Sequence, residues 1–436
     1  MSVAAPRELG LARTRPRQWA PTLAAVCGLV LVAATAEIVL DGAIGHSALI
    51  PKSPAIAGWL RGIGERLGYR VFLVALLLGS VAYAGLLAVA RSISKRWALV
   101  LIGALHGIVF AGPILISTDV FSYIAYARMG VEHGLNPYLH GPIWIAHDPV
   151  YRYVGHSWRH VETAYGPLYT LLSYPLAPLG VRGALWGMKL IALAASIGTL
   201  VLTWRCARAR SLDPVLAILA VGANPLYVIY GLGGAHNDLI MLLLMMAAVS
   251  LTFAGRDAAA TATVVAGALV KATVAALLPF MILARRSWAQ LAGAAGALVL
   301  GAAAAYAVFG VHGIDVIAAL NRDAAFVSTD SFATEIAHLF GKPGVFPVDH
   351  AILKGALVVV VLYLLWRTWR GYDWVAASGW TLLAISVAST WLLPWYILWP
   401  LPLAVVVRDQ RLLAATLAVQ ALFIVHQTSP LFVNVT

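Results

Sequence analysis

Charge is what this chain has least of. Only 11% of its 436 residues are charged, and its 18 acidic residues face 30 lysines and arginines. Soluble domains average about 25% charged residues, so a string of soluble domains is excluded. Cysteine is nearly absent too: Cys27 lies in an apolar run and Cys206 in a basic loop, which excludes a disulfide framework. The histidines at 133, 140, 147, 156 and 160 form no HExxH helix, and no metal or other cofactor is expected. The net charge of +12 is scattered in short clusters between apolar runs. Such clusters are topology signals, so nucleic acid is not expected as a partner.

What the chain has in abundance is apolar sequence, 61% hydrophobic residues with a mean hydropathy of +0.85. Runs of about 20 apolar residues recur from end to end, each long enough to cross a bilayer. Backbone hydrogen bonds must be satisfied within lipid, so an all-α polytopic membrane protein is expected. Spans are placed near 20–40, 71–90, 97–117, 183–204, 214–231, 238–254, 288–310, 351–370, 374–392, 395–407 and 412–430. Residues 258–284 read as two short helices meeting near Lys271, because a single span would carry Arg285, Arg286, Arg367, Arg370, Arg408 and Arg411 to the outer side. That makes about thirteen membrane segments in one integral domain over 1–436. Residues 1–96 hold extra N-terminal spans, 97–310 a core with an external loop at 118–182, and 311–436 a second external loop at 311–350 with the last spans.

With the N-terminus cytoplasmic, 17 of the 30 lysines and arginines fall on inner segments and 10 on the longer outer loops. The basic start and long apolar run of the N-terminus read as an uncleaved signal anchor rather than a signal peptide. Tryptophans 19, 97, 204, 288, 369, 374, 395 and 399 near span ends fit an interfacial belt. Residues 165–180, interrupted by Pro175 and Pro178, read as an interfacial helix on the outer leaflet.

The unusual polar residues gather on the outer face. Asp119 opens the first loop, followed by Glu132, His133, Asn136, Tyr138, Asp148, Arg159, Glu162 and Tyr165. A second outer turn supplies His236, Asn237 and Asp238, and a third, "TWLLPWYILWPLP", is dense in aromatic residues and proline. Ionisable groups at a membrane edge are costly, which makes the cluster a candidate site. Plainer roles stay open. Asp119 could cap a helix, His236 and Asp238 could end helices around Gly233 and Gly234, and Lys271 could snorkel. Val120, Ile124, Ala127 and Val131 share a helical face that is expected to rest on lipid. The echo of "STDVF" (117–121) in "STDSF" (328–332) reads as chance, since nothing around the pair repeats.

Five segments in this order carry a resemblance: "DVFSYIAYARMGVEHGLNPY" (119–138), "YGPLYTLL" (165–172), "NPLYVIYGLGGAHNDLIMLLL" (224–244), "ALVKATVAALLP" (268–279) and "PWYILWPLPL" (394–403). On them the chain resembles the GT-C superfamily of polyprenyl-phosphate-sugar-dependent glycosyltransferases, most of all the polyprenol-phosphomannose-dependent α-(1→6)-mannosyltransferases. The resemblance implies a GT-C type helical bundle, a lipid-linked donor and cell envelope biosynthesis. It also implies a catalytic base at the acid opening the first outer loop, here Asp119. The long soluble C-terminal domain of arabinosyltransferase relatives is not present in this sequence.

Transfer of a sugar from a phosphate to an alcohol asks for one carboxylate to take the acceptor proton. It also asks for cationic or N–H partners for the leaving phosphate. A lipid phosphate does not require the metal that a nucleotide diphosphate does, consistent with the missing Asp-x-Asp motif. Arg128, Arg159 and Lys271 are the candidates to hold the phosphate; His236, Asn237 and Asp238 are candidates to bind sugar hydroxyls or orient the base; Tyr165, Trp395 and Tyr396 could stack on sugar or polyprenyl units. Asp330 and Glu335 are spare candidate bases. The expected partners are a polyprenyl-phosphate sugar donor, a glycan or glycolipid acceptor and the lipid bilayer, with the site facing outward. The rival reading is a secondary transporter or lipid flippase, which would place its ionisable residues near the midplane of inverted repeats. An enzyme using arabinose or a protein acceptor is a second rival.

Overall fold

A computed structural model describes residues 18–43, 58–60 and 68–431 of the chain. The basic N-terminal cluster at 7–17 lies outside the described residues. The protein is an all-α polytopic membrane protein, and no strand occurs among the described residues.

The first three helices, α1 (Ala20–Ala43), α2 (Tyr69–Ala88) and α3 (Lys95–Ala111), pack as one group at the N-terminal side. The chain then turns into α4 (Asp119–Glu132) and, through short 3-10 turns, into α5 (Pro167–Ser173). Pro175 and Pro178 remove two backbone donors, and the chain continues as a 3-10 turn over Tyr174–Leu179 before α6 (Gly180–Ala209) begins. Next come α7 (Pro214–Gly222), a π-helical turn at Leu226–Leu232 bent by 51° from α7, and α8 (Asp238–Phe253). Pro225 at the bend has no N–H to continue the α7 ladder.

Two short helices follow, α9 (Asp257–Ala268) and α10 (Leu278–Arg285), separated by Lys271 in extended conformation and a 3-10 turn at Ala272–Leu277. Asp257 at the start of α9 pairs with Arg285 at the end of α10 at 3.1 Å. The chain therefore returns to the end it left, a hairpin with Lys271 at its tip. The remaining helices are α11 (Trp288–Phe309), α12 (Val316–Asp323), α13 (Phe332–Leu339), α14 (Pro347–Trp369), α15 (Trp374–Ala388), α16 (Leu401–Ala404) and α17 (Gln410–Thr428).

Among the described residues six helical stretches are long and apolar enough to cross a membrane, or seven with the bent pair, and three shorter apolar helices accompany them. α11 and α14 bury few of their side chains and turn long apolar faces outward, the pattern of peripheral helices solvated by lipid. α8 and α15 bury most of theirs and form the centre. Where a span is expected at 395–407, prolines 394, 400 and 402 instead break the chain into a 3-10 turn and the four-residue α16.

Two expectations are corrected. α4 does not rest on lipid: Val120, Ile124 and Ala127 are buried against α5, α6 and the following turns, and only Val131 is exposed. The apolar stripe is a protein-packing face, which the spacing alone cannot distinguish from a lipid-facing one. Trp374, Trp395 and Trp399 are also buried and do not belong to an interfacial belt, whereas Trp19, Trp288 and Trp369 are exposed.

The hairpin tip is fixed by the loop at 118–182. The N–H groups of Gly166 and Leu168 donate to the carbonyls of Val270 and Leu269 at 3.2 and 3.0 Å. A Cβ at Gly166 would meet the Leu269 oxygen at 2.1 Å, so only glycine lets the two backbones approach. Gly166→Ala is expected to destabilise by roughly 1–3 kcal/mol, as overpacking does. It should lower the apparent melting temperature in detergent, while Gly296→Ala, with open space around it, should not.

Candidate active site

The path to Asp119 is held from both sides. Lys189 donates to the Gly112 carbonyl, meeting one of the unpaired groups at the end of α3. The Leu115 N–H donates to the Gly233 carbonyl at 2.9 Å, and the Ser117 N–H to Leu115 at 2.7 Å. The second bond closes a three-residue turn that leaves Ile116 at φ +66°, a region β-branched residues rarely enter. Backbone strain of this kind persists only where the surroundings over-determine it, and it clusters at functional sites.

Asp119 is the first residue of α4, and its carboxylate does not cap the helix. Its own N–H is received by Ser117 Oγ at 3.1 Å. The carboxylate instead lines a cavity of about 200 Å³, with 18% of its side chain accessible. Burial pushes its pKa from 3.8 up to about 6. The Ser117 hydrogen bond and the charge of Lys271 work the other way, and Asp238 adds to the rise.

The turn after the π-helical segment supplies the floor. A Cβ at Gly233 would meet the Ile229 oxygen at 2.1 Å, so the turn closes only with glycine there. It delivers three polar residues in succession. His236 stacks on Trp395 with ring centroids 3.5 Å apart, its Nδ1 3.4 Å from the Tyr123 hydroxyl and 3.7 Å from Asp119 Oδ2. Burial, reinforced by the charge of Lys271, pushes the His236 pKa well below its ordinary range, so the ring is neutral near neutral pH. Asn237 lines the cavity, and neither its amide oxygen nor its nitrogen has a hydrogen-bond partner among the described residues. A buried amide with both ends unpaired is costly, and one facing a cavity is poised for a ligand that both donates and accepts.

Asp238 opens α8, where the helix dipole favours its charge. Both its oxygens accept from Lys271 Nζ at 2.8 Å, and Oδ1 also accepts from Trp399 Nε1 at 2.6 Å. The Lys271 ammonium lies 4.5 Å from the Tyr396 ring centre and 5.3 Å from that of Trp399, and these two rings stack at 4.4 Å. Lys271 is the only lysine or arginine among the described residues lining this cavity.

Of the residues expected at the site, Asp119, Tyr165, Asn237, Lys271, Trp395 and Tyr396 line this one cavity. His236 and Asp238 stand directly behind it, against Asp119 and Lys271. Arg128 and Arg159 are not among the lining residues. Arg128 lies nine residues along α4 from Asp119, about 13 Å by helix rise. Its guanidinium is committed to both oxygens of Asp148 at 2.9 Å and to the Ala177 carbonyl at 3.0 Å. Arg159 sits over the Tyr151 ring, 4.5 Å from its centre. Asp330 and Glu335 instead approach His426, at 3.4 and 3.6 Å.

Several lining residues escaped the sequence reading. Trp158, Trp391 and Trp399 face the cavity, and the aromatic density of the 390–402 turn was the available signal for the last two. Asp323, from α12 in the loop at 311–350, also lines it and had no signal in the sequence. Arg322 beside it binds Glu162 at 2.8 Å and Asp323 at 3.2 Å, tying that loop to the first. His156 and His160 are four residues apart, but a 3-10 turn covers 156–158, and no group of three or more potential metal ligands converges among the described residues.

Comparison with known proteins gives this geometry a family. Residues 23–287 match the family described as "Alpha-(1->6)-mannopyranosyltransferase, N-terminal domain", and residues 335–430 match "MptB C-terminal domain". The alpha-(1->6)-mannopyranosyltransferase A of Mycobacterium tuberculosis is 28% identical over 71% of this chain and 66% of its own length. That of Corynebacterium glutamicum is 30% identical over 40% of this chain and 36% of its own. An alignment with alpha-(1->6)-mannopyranosyltransferase B of Corynebacterium glutamicum, 24% identical, covers 33% of this chain and 24% of the relative. The chain thus matches less than two thirds of the length of the curated relatives. No solved structure matches it. With more than half of its residues matching the family model, the chain belongs to the alpha-(1->6)-mannopyranosyltransferase family.

Proposed function

We propose that the protein transfers a mannosyl residue from a polyprenyl-phosphate donor to a hydroxyl of a glycan or glycolipid acceptor, with Asp119 as general base. The cavity would face the outer side of the cell membrane, with the N-terminus cytoplasmic. The observation that carries the reading is the Asp119 carboxylate, lining an aromatic-walled cavity that holds a single ammonium, with its pKa raised to about 6. A base poised just below neutrality is still ionised yet accepts a proton more readily than an ordinary carboxylate. Family membership and the names of the relatives support the mannosyl group and the α-(1→6) linkage.

In this reading the acceptor oxygen attacks the anomeric carbon as the bond from that carbon to the phosphate oxygen breaks. The hydroxyl proton passes to Asp119, and the polyprenyl phosphate departs with the bonding electron pair. A single displacement inverts the anomeric centre, so an α-linked product requires a β-linked donor. Asn237, with a free donor and a free acceptor, suits sugar hydroxyls. Lys271 gives two of its protons to Asp238 and keeps one for the leaving phosphate. His236, its Nδ1 near both the Tyr123 hydroxyl and Asp119 Oδ2, supports the carboxylate from behind the cavity.

Sugar transfer in proteoliposomes, with radiolabelled polyprenyl-phosphate mannose and an α-mannoside acceptor, tests this. Asp119→Asn should lose at least about 10²-fold in rate while remaining folded. Activity near the wild-type level would remove Asp119 as the base. A base must be unprotonated, so the wild-type rate should rise as pH increases through about 6 and level off above it. Lys271 holds the Asp119 pKa down and Asp238 raises it. In the residual activity of Lys271→Met the acid limb should therefore move to higher pH, and in Asp238→Asn to lower pH. A limb that moves in neither variant would mean that another group titrates.

A further inference from the structure

At the end of the bundle opposite the Asp119 cavity, a second cavity of about 530 Å³ opens between α3, α6 and α7. Lys95, at the first position of α3, and Arg205, in the last turns of α6, stand at its mouth. The Lys95 ammonium lies over the Trp204 ring at 4.9 Å, and neither cation has an ion-pair partner among the described residues.

Beyond the mouth the walls turn apolar. Gly103 and Gly107, one helical turn apart on α3, face it with nothing within 4 Å of where a Cβ would sit. Ile197 and Val201 of α6 line the other wall and are about half exposed, so the groove is open sideways. The one polar side chain along its length is satisfied within the protein: His106 binds the Ile102 carbonyl and Ser196 Oγ, both at 2.9 Å. From Lys95 to Gly107 the groove runs about 18 Å by helix rise. Half of a bilayer's hydrocarbon core is about 15 Å.

We propose that this groove is a binding site for one anionic glycerophospholipid, its phosphate between Lys95 and Arg205 and one acyl chain along Gly103 and Gly107. The charge at the mouth selects an anionic headgroup, and the length and dryness of the groove fit a chain from a single leaflet. A lipid-linked sugar donor would not fit this site, since its phosphate belongs at the far end of the bundle beside Lys271. The choice of a phospholipid over such a donor rests on the transfer reading, whereas the groove and its two cations do not.

The test is native mass spectrometry of the full chain after exchange into equal amounts of phosphatidylglycerol and phosphatidylcholine. Wild type should retain one phosphatidylglycerol in preference to phosphatidylcholine. The double variant Lys95→Gln with Arg205→Gln, at exposed positions, should lower that retention by about tenfold or more. Gly107→Leu, which fills the groove but keeps both cations, should lose it as well. Equal retention of the two lipids, wild-type retention in the double variant, or displacement of phosphatidylglycerol by an equimolar polyprenyl phosphate would each overturn the proposal. Wild-type retention in a Gly107→Leu protein would place the lipid outside the groove and overturn it too. If that variant proves unstable, the charge variants decide alone.

Discussion

The interaction on which the rest of the site depends is the buried contact of Asp238 with Lys271 and Trp399. It joins three parts of the chain that are distant in sequence: the start of α8, the tip of the α9–α10 hairpin and the aromatic turn before α16. Charges taken out of water at that depth are tolerable only as a close, hydrogen-bonded pair. Removing one partner of such a pair costs on the order of 3–5 kcal/mol, because the other is left buried and uncompensated. The hairpin tip and the aromatic turn are short and irregular, whereas α8 is a regular helix packed at the centre of the bundle. The ion pair gives them one geometry.

With that floor fixed, the properties of Asp119 follow from what surrounds it. The turn that ends at His236 is bound back to Leu115, so the strained approach to Asp119 and the floor of the cavity are one hydrogen-bonded unit. His236 is clamped between Trp395 and Asp119, which carries the position of the aromatic turn to the carboxylate. The charge balance is local as well. Lys271 is largely neutralised by Asp238, so Asp119 feels the cation weakly and burial dominates.

The two long loops at 118–182 and 311–350 contribute to the cavity wall. Gly166 lets the first loop hydrogen-bond to the hairpin tip, and Arg322 ties the second loop to Glu162 of the first. The wall is therefore built from α4 and the loop after it, the turn before α8, the hairpin tip, α12 and the aromatic turn. That explains why some expected residues stand together and others do not. Lys271 was read as a seat for phosphate and does line the cavity, whereas Arg128, on the same helix as Asp119, is carried away by the rise of that helix to Asp148.

Taken alone, the amino-acid sequence determines the solvent and the local breaks. Its apolar runs admit only helices in lipid, because every backbone group must find a partner inside the segment. Its prolines, its glycines and the lone Lys271 mark where those helices must stop. Asp119, His236, Asn237 and Asp238 were legible for the same local reason: ionisable and amide groups stand out against so apolar a background. Which of them meet was not. The apolar face of α4 reads the same whether it touches lipid or protein, and the buried Trp399 reads like an interfacial one. Asp323, in a loop of ordinary composition, carries no local mark at all. Those assignments were left to the tertiary structure. Contacts between segments 30 to 160 residues apart depend on how ion pairs and backbone approaches fit together in space, and no periodicity along the chain encodes that fit.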